Sequence, residues 1–372
     1  MSEWKDKGPG QVEEIIFYAV LVEFQLFGSI WAMLNVSGKP YLFLYWGFVG
    51  LALIKVSIQK NTWKEWIVIG TFGVIAVCSW RGSQDKTALL LMLGVCLSKN
   101  INFNRMIKID MFARWLSSFV LIAFPLAGIC ENQVRIDRGI ERIYFGWQAP
   151  NGMGLSFLII CMEWMYLKHS RFRWYDYTGI LMLTAFLHQT ANSRTAELLI
   201  VGILIVELFS SFLKKWDYRI EEYKLWGLAC AGALSLDLLF PASAICMHIF
   251  GNFVIMNFDA NLGSRFQLPG MFYDAHGLTL FGSPYNPEIY DYLDMLFAYL
   301  TLHMGIVLAL VVLVLMVRTI WYGYRTKDEK LLLLFLFVLL RSTIESEHFT
   351  LVYAFFPVLL GLSVWEKNRV QI

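Results

Sequence analysis

Residues 296–317, LFAYLTLHMGIVLALVVLVLMV, decide the fold class of this chain. These 22 residues contain no Asp, Glu, Lys or Arg, and about 20 apolar residues in an α-helix cross the roughly 30 Å of hydrocarbon in a bilayer. The whole composition agrees, because 58% of the residues are hydrophobic and 16% are charged, whereas soluble domains average about 45–50% apolar and 25% charged. We therefore expect an all-α, polytopic membrane protein.

Further apolar stretches on both sides of this one predict about twelve transmembrane helices in a single integral domain of residues 1–372. The predicted spans lie near residues 13–35, 40–57, 64–80, 86–98, 111–130, 152–167, 177–192, 195–213, 225–250, 291–317, 329–341 and 348–365. In this threading, 22 of the 31 Lys and Arg fall on one side of the membrane and nine on the other. Since Lys and Arg are enriched on the cytoplasmic side, we expect both termini there.

The predicted outer side has longer loops than the cytoplasmic side. Its longest loop covers residues 251–290 and is rich in Phe and Tyr, which suit the membrane interface or stacking against sugars. The first two outer loops contain a single acid, Asp85, so we expect no metal site there. The six Cys lie in or beside apolar runs without metal-ligand spacing, which favours packing roles, and nothing in the sequence indicates nucleic-acid binding.

Arg142 precedes Pro150-Asn151-Gly152 in an outer segment. Pro150 disfavours helical geometry at Ala149 and Asn151 is a favoured N-cap, so we expect a helix to begin here. Its first N–H groups would form an anion site, with Arg142 folded back over the helix end. The alternative is a simple turn, with Arg142 reaching lipid headgroups.

Arg194 lies in the predicted first turn of the eighth span, after Asn192 and Ser193, either of which can cap the helix. A cation there opposes the positive end of the helix dipole, so an anion is expected nearby. Two anions are candidates. Glu197, three residues further along the helix, would form a local ion pair with Arg194. A phosphate of a ligand would instead make Arg194 a binding residue. His188, one turn before Asn192, is expected to be a core residue.

Arg265 is the only Lys or Arg in the long outer loop. Its isolation favours a specific partner over a solvated charge run. His276 is a candidate general base, which Asp274 would orient or replace. The alternative is a structural ion pair between Asp274 and Arg265.

Arg341 and Glu345 have the i,i+4 spacing of a helical ion pair, so a structural role is favoured for Arg341. Glu345 and His348 remain candidates for substrate contacts or proton transfer at the outer turn between the last two spans.

Four short motifs of the predicted outer side occur in a recognisable order. They are RIYFGWQAPNGMG at 142–154, NSRT at 192–195, GSRF at 263–266 before LFG at 280–282, and ESEH at 345–348. Together they resemble the Wzy-type polysaccharide polymerases of the O-antigen polymerase and ligase superfamily, particularly those of Gram-positive bacteria. The resemblance spans roughly residues 135–365.

The resemblance implies a GT-C-like, metal-independent glycosyltransferase without a cofactor. It would join oligosaccharide repeat units carried on undecaprenyl pyrophosphate into an exopolysaccharide or capsular polysaccharide at the outer face of the cytoplasmic membrane. It implies that Arg142, Arg194 and Arg265 engage the pyrophosphate and that His276 is the nearest match to the outer-loop histidine of related ligases. Asn151 and Asp274 are further candidates for substrate contacts. Membrane lipids, a flippase and a chain-length regulator are the implied partners.

Two other functions are compatible with the sequence. A flippase or transporter of a lipid-linked saccharide is suggested by two intramembrane acids, Glu23 and Asp237, although no internal repeat supports it. A ligase-like transferase would move the same donor to a different acceptor.

Overall fold

The computed structural model describes residues 9–33, 39–137, 139–215, 221–249, 265–285, 293–345 and 355–365. Of these described residues, 79% are helical and almost none lie in strands, which confirms the expectation of a helical protein. In chain order the helices are α1 (Pro9–Met33), α2 (Lys39–Ile58), α3 (Trp63–Ser83), α4 (Thr87–Leu97), α5 (Phe103–Leu126), α6 (Pro150–Lys168), α7 (Trp174–Gln189), α8 (Arg194–Lys215), α9 (Glu222–Ile249), α10 (Gln267–His276), α11 (Leu296–Ala298), α12 (Ile306–Thr326), α13 (Glu329–Ser342) and α14 (Phe355–Trp365). Strands β1 (Gln133–Asp137) and β2 (Ile140–Phe145) lie between α5 and α6, and a π-helix (Tyr299–Met304) continues α11.

Five of the described helices are long and apolar enough to cross a membrane. They are α3, α5, α8 over Arg194–Leu213, α9 and α12, each with at least 20 residues. Such a length spans the hydrocarbon core of a bilayer. The protein is therefore embedded in a membrane.

The chain folds as two compact units, each assembled from two stretches of sequence. The first unit comprises Met1–Gln59 and Asn100–Glu222, and the second comprises Lys60–Lys99 and Tyr223–Ile372. In the first unit, α5 packs against α1 and α6, and α6 packs against α8. In the second, α14 packs against α4 and α12, and α3 packs against α4.

The predicted span of residues 291–317 is not a continuous α-helix. Gly305, at φ 98°, separates the π-helix from α12. A side chain at Gly305 would meet the backbone nitrogen of Gly282 at 2.4 Å, and the N–H groups of Ile306 and Val307 donate to the carbonyls of Thr279 and Leu280. The break exists because a loop of the same unit bonds to the chain at this point, which only glycine permits.

A two-stranded hairpin is the exception to the all-α prediction. Strands β1 and β2 pair antiparallel, with Arg135 opposite Arg142. Gly139, at φ 77°, lies in the turn, as hairpin turns require. The segment that was predicted to be an outer loop therefore contains a β-hairpin, and Arg142 lies on its second strand.

Candidate functional site

Arg142 joins the starts of α6 and α8. Its Nε donates to the carbonyl of Ala191 at 2.7 Å, and its Nη2 donates to the carbonyl of Asn192 at 3.2 Å and to Oδ1 of Asn151 at 3.1 Å. The expectation that Arg142 folds back over the start of α6 is confirmed. Its guanidinium binds backbone and amide oxygens of the protein, so the alternative of a cation directed only at lipid headgroups is wrong.

Asn151 does not occupy the predicted N-cap position. Ala149 is the N-cap of α6, with an extended backbone and no side-chain hydrogen bond to the helix, and Pro150 is the first helical residue. Proline suits this position because it lacks an N–H and has a fixed φ. Asn151 instead accepts from Arg142, which leaves the start of α6 without a side-chain cap.

Close packing brings the starts of α6 and α8 together. A Cβ at Gly154 of α6 would lie 2.3 Å from Oγ of Ser193 and 3.1 Å from Cβ of Ala196. Strand β2 is also hydrogen-bonded to this region, because the N–H of Ile143 donates to the carbonyl of Thr190 at 3.0 Å. Two sequence motifs about 40 residues apart in the chain therefore meet at two helix N-termini, where N–H groups and the helix dipoles favour an anion.

Arg194 is the first residue of α8, as predicted. Its side chain is exposed, and within the described residues it makes no hydrogen bond or ion pair. The alternative in which Glu197 pairs with Arg194 is wrong, because Glu197 pairs with His188 at 2.9 Å. His188 is not a core residue either, since 67% of its side chain is exposed.

Arg135 is a cation of this region that sequence reasoning missed. It lies opposite Arg142 across the hairpin, is exposed, and has no side-chain partner in the part of the chain that the structure describes. Like charges at directly opposed positions destabilise a strand pair, so a bound anion would relieve this one. The alternation of apolar and polar residues around Gly139 was the signal that could have placed it.

We define the arginine site as Arg142, Asn151, Asn192 and Arg194. It combines guanidinium donors, one of them exposed, with two adjacent helix starts. Arg and helix N-termini both bind phosphate oxygens through charge-assisted hydrogen bonds. The arrangement can therefore bind an anionic group such as a diphosphate.

Arg265, the third arginine of the sequence prediction, belongs to the second unit. Its Nε lies 3.1 Å from Oδ2 of Asp294 and donates to the carbonyl of Ile344 at 3.1 Å. The alternative pairing of Arg265 with Asp274 is therefore wrong. Asp294 was missed because the predicted span began at residue 291, whereas α11 begins at Leu296 and leaves Asp294 outside the helix.

Asp274 pairs with His248 of α9 rather than with His276. His276 is half-buried at the end of α10, and its ring lies 4.8 Å from that of Phe272 between centroids. Neither finding supports the expectation that Asp274 orients His276.

Arg341 forms the predicted ion pair with Glu345, and both side chains are buried. This burial argues against direct substrate contact by Glu345. His348 lies outside the described residues. Asp237, one of the two acids predicted to lie within the membrane, accepts hydrogen bonds from Ser342 and Thr343, which gives it a local structural role.

A second polar cluster in the second unit was also missed. Asp85 accepts from the hydroxyl of Tyr299 at 2.6 Å and lies 3.4 Å from Nε2 of His303, while Nδ1 of His303 donates to the carbonyl of Ser283 at 2.8 Å. Burial opposes ionisation of Asp85, but hydrogen bonds from His303, Tyr299 and Thr87 outweigh it and lower the pKa of the carboxyl below its usual range. These hydrogen bonds hold Tyr299 and His303 of the π-helix in place, so the cluster has a structural role.

Comparisons with known proteins found no matching family model, no matching curated protein and no matching solved structure.

Proposed function

We propose that this protein is a glycosyltransferase that polymerises oligosaccharide repeat units carried on undecaprenyl pyrophosphate. In this proposal the chain crosses the cytoplasmic membrane about twelve times with both termini in the cytoplasm. The reaction takes place at the outer face and yields an exopolysaccharide or capsular polysaccharide. The single observation that carries the proposal is the junction of two helix starts by Arg142 beside the exposed, unpaired Arg194 among the described residues.

The proposed role of the arginines follows from the place where negative charge develops during the reaction. A hydroxyl of one repeat unit attacks the anomeric carbon of another, the new glycosidic bond forms, and the bond to the pyrophosphate oxygen breaks with its electron pair. Negative charge therefore grows on the leaving diphosphate. Fixed guanidinium and N–H donors stabilise that charge more in the transition state than in the ground state, and this difference accelerates the reaction.

The three arginines have different roles in this proposal. Arg142 donates at least three hydrogen bonds to oxygens of the protein. It therefore positions the two helix starts as well as adding positive charge. Arg194 is exposed at a helix N-terminus and is the direct phosphate ligand. Arg265 belongs to the second unit, and its role in binding a diphosphate stays a prediction from the resemblance of its GSRF motif.

The test is product length with the purified protein in lipid nanodiscs and one undecaprenyl-pyrophosphate-linked repeat unit as sole substrate. A ladder of products longer than two units is expected. Bound substrate without any product would contradict the proposal. A single transfer to a different acceptor would assign a ligase instead.

A further inference from the structure

We propose that Asp110 and Glu163 form a proton-binding site inside the first unit, in which one proton is held between the two carboxyl groups. Asp110 lies on α5 and Glu163 on α6, and these helices pack against each other within that unit. The site shares no residue with the arginine site. It is therefore independent of the proposed function.

Three charged side chains are buried together in this region. Asp110 and Glu163 are 0% exposed and Arg114 is 2% exposed. Asp110 lies roughly 10 Å along α5 from Phe103, at 1.5 Å per residue, and α5 is long enough to cross a membrane. Ionisable side chains within membrane-spanning segments are costly, so each one is a candidate functional group.

The distances to Arg114 distinguish the two carboxyl groups. Nε of Arg114 donates to Oδ2 of Asp110 at 2.9 Å. The same Nε lies 3.9 Å from Oε1 of Glu163, which is too long for a hydrogen bond. Asp110 is therefore the ionic partner of Arg114, and Glu163 is a second carboxyl group beside that pair.

The remaining carboxyl oxygens indicate a proton. Oδ1 of Asp110 and both carboxyl oxygens of Glu163 are buried and have no hydrogen-bond partner among the described residues. The two carboxyl groups are within hydrogen-bond reach of each other. Ionised carboxylates only accept hydrogen bonds and repel each other, so a hydrogen bond between these groups requires a proton. A proton on Glu163 can be donated to Asp110.

The charge balance also requires one proton. Among the described residues, Asp110 and Arg114 are the charged groups that act on Glu163. If both carboxyl groups were ionised, the single guanidinium would leave one negative charge uncompensated. Such a charge is expensive to bury, and one bound proton removes it.

Charged groups on the elements packed against α5 and α6 are engaged elsewhere or are more exposed. The paired acids are Glu13 and Glu14 of α1, with Asn100 and Arg105; Asp176 of α7, with Lys168; and Glu197 and Glu207 of α8, with His188 and His169. Glu23 of α1 is half-buried and Glu141 of β2 is exposed. Arg142 of β2 belongs to the arginine site, and Lys108 of α5 is exposed.

Infrared spectroscopy of the purified protein in nanodiscs tests the site directly. The protein is made with glutamate labelled with ¹³C at the side-chain carboxyl, and spectra are recorded at about pH 8, where a carboxyl group in water is ionised. We expect a carboxylic acid band that shifts with the label and is lost in E163Q. The absence of this band, or its persistence in E163Q, would overturn the inference.

D110N tests whether the proton depends on both carboxyl groups. Without the carboxylate of Asp110, Glu163 becomes the acid nearest to Arg114 in the described part of the site and should ionise. The carboxylic acid band should therefore disappear, although Glu163 is unchanged. A band that persists in D110N would show that the two groups do not share a proton, and the inference would fall.

The stability of E163Q, compared with that of E207Q, separates a proton carrier from an ionised partner of Arg114. Glu207 is also 0% exposed and lies in the same unit, but it pairs with His169 at 2.6 Å and accepts from the N–H of Ser170 at 3.1 Å. The amide of E163Q can donate to Asp110 as a protonated carboxyl does, so its melting temperature should equal that of the wild type. E207Q should melt at a lower temperature. An equal loss in both variants would contradict the proposal.

A monovalent metal ion is the competing occupant, because hard cations also bind carboxylate oxygens. Infrared spectra at constant pH in sodium chloride and in choline chloride distinguish the two. The carboxylic acid band should be the same in both salts. Loss of the band in sodium chloride alone would assign the site to Na⁺ and overturn the assignment of a proton.

Discussion

Nη2 of Arg142 lies 3.1 Å from Oδ1 of Asn151, which links the second strand of the hairpin to the first turn of α6. The same guanidinium reaches Ala191 and Asn192 before α8. One side chain thus connects three elements. Its loss should affect both the positions of the helix starts and the binding of an anion between them.

Replacing Arg142 with Lys should lower the polymerisation rate by about 10²–10³-fold. The charge remains, but a single ammonium cannot reproduce the planar fork that reaches three oxygens. The rate is measured with the purified protein and the lipid-linked repeat unit. R318K is the control, because Arg318 also donates to a backbone carbonyl, that of Ser363 at 3.0 Å, but lies outside the arginine site. An equal loss in both variants would remove the special role of Arg142.

Replacing Arg194 with Gln should separate function from stability. Arg194 has no side-chain partner within the described residues and its charge opposes the dipole of α8, so the melting temperature should stay the same or rise slightly. The affinity for undecaprenyl pyrophosphate should fall at least about tenfold, as for the loss of one charge-assisted hydrogen bond. A lower melting temperature with unchanged affinity would show that Arg194 is structural.

Replacing Gly154 with Ala should disturb the contact between α6 and α8. The new Cβ would lie 2.3 Å from Oγ of Ser193, and overpacking of this kind costs about 1–3 kcal/mol. G47A is the control in the same unit, because nothing lies within 4 Å of a Cβ at Gly47. Equal unfolding midpoints for the two variants in a denaturant or thermal titration would show that the helices do not depend on the close approach.

The lowered pKa of Asp85 predicts that the stability of the folded protein depends on pH. Its folded pKa is lowered, chiefly by hydrogen bonds that outweigh the effect of burial, so its contribution is fully present above about pH 4 and is lost as pH falls through the folded pKa. D85N should be less stable than the wild type at pH 7, and the difference should narrow below pH 4. Thermal unfolding of both proteins across this range is the measurement. If the difference in stability between D85N and the wild type does not depend on pH, the ionised carboxylate of Asp85 is not what stabilises the fold.

Local sequence signals predicted the parts of this fold that depend on neighbours in the chain. The helix start at Pro150, the position of Arg194 in the first turn of α8, and the ion pair of Arg341 with Glu345 all follow from spacings of a few residues. The fold-back of Arg142 was predictable because only nine residues separate it from Asn151.

Contacts between distant segments were not predictable in this way. Asp85 and His303 are 218 residues apart, and the break at Gly305 exists only because residues 279–282 bond beside it. The hairpin was missed because its strands of five and six residues give a weaker pattern than the apolar spans around them. Asp294 can pair with Arg265 because α11 begins at Leu296, whereas the predicted span began at residue 291 and would have placed Asp294 in a helix.

The central claim is that the arginine site holds the lipid diphosphate, and a structure of the protein with undecaprenyl pyrophosphate bound in nanodiscs tests it most directly. The account predicts phosphate oxygens at about 2.7–2.9 Å from the guanidinium of Arg194, next to the N–H groups at the starts of α6 and α8. A diphosphate bound elsewhere, with Arg194 still exposed to solvent, would contradict it.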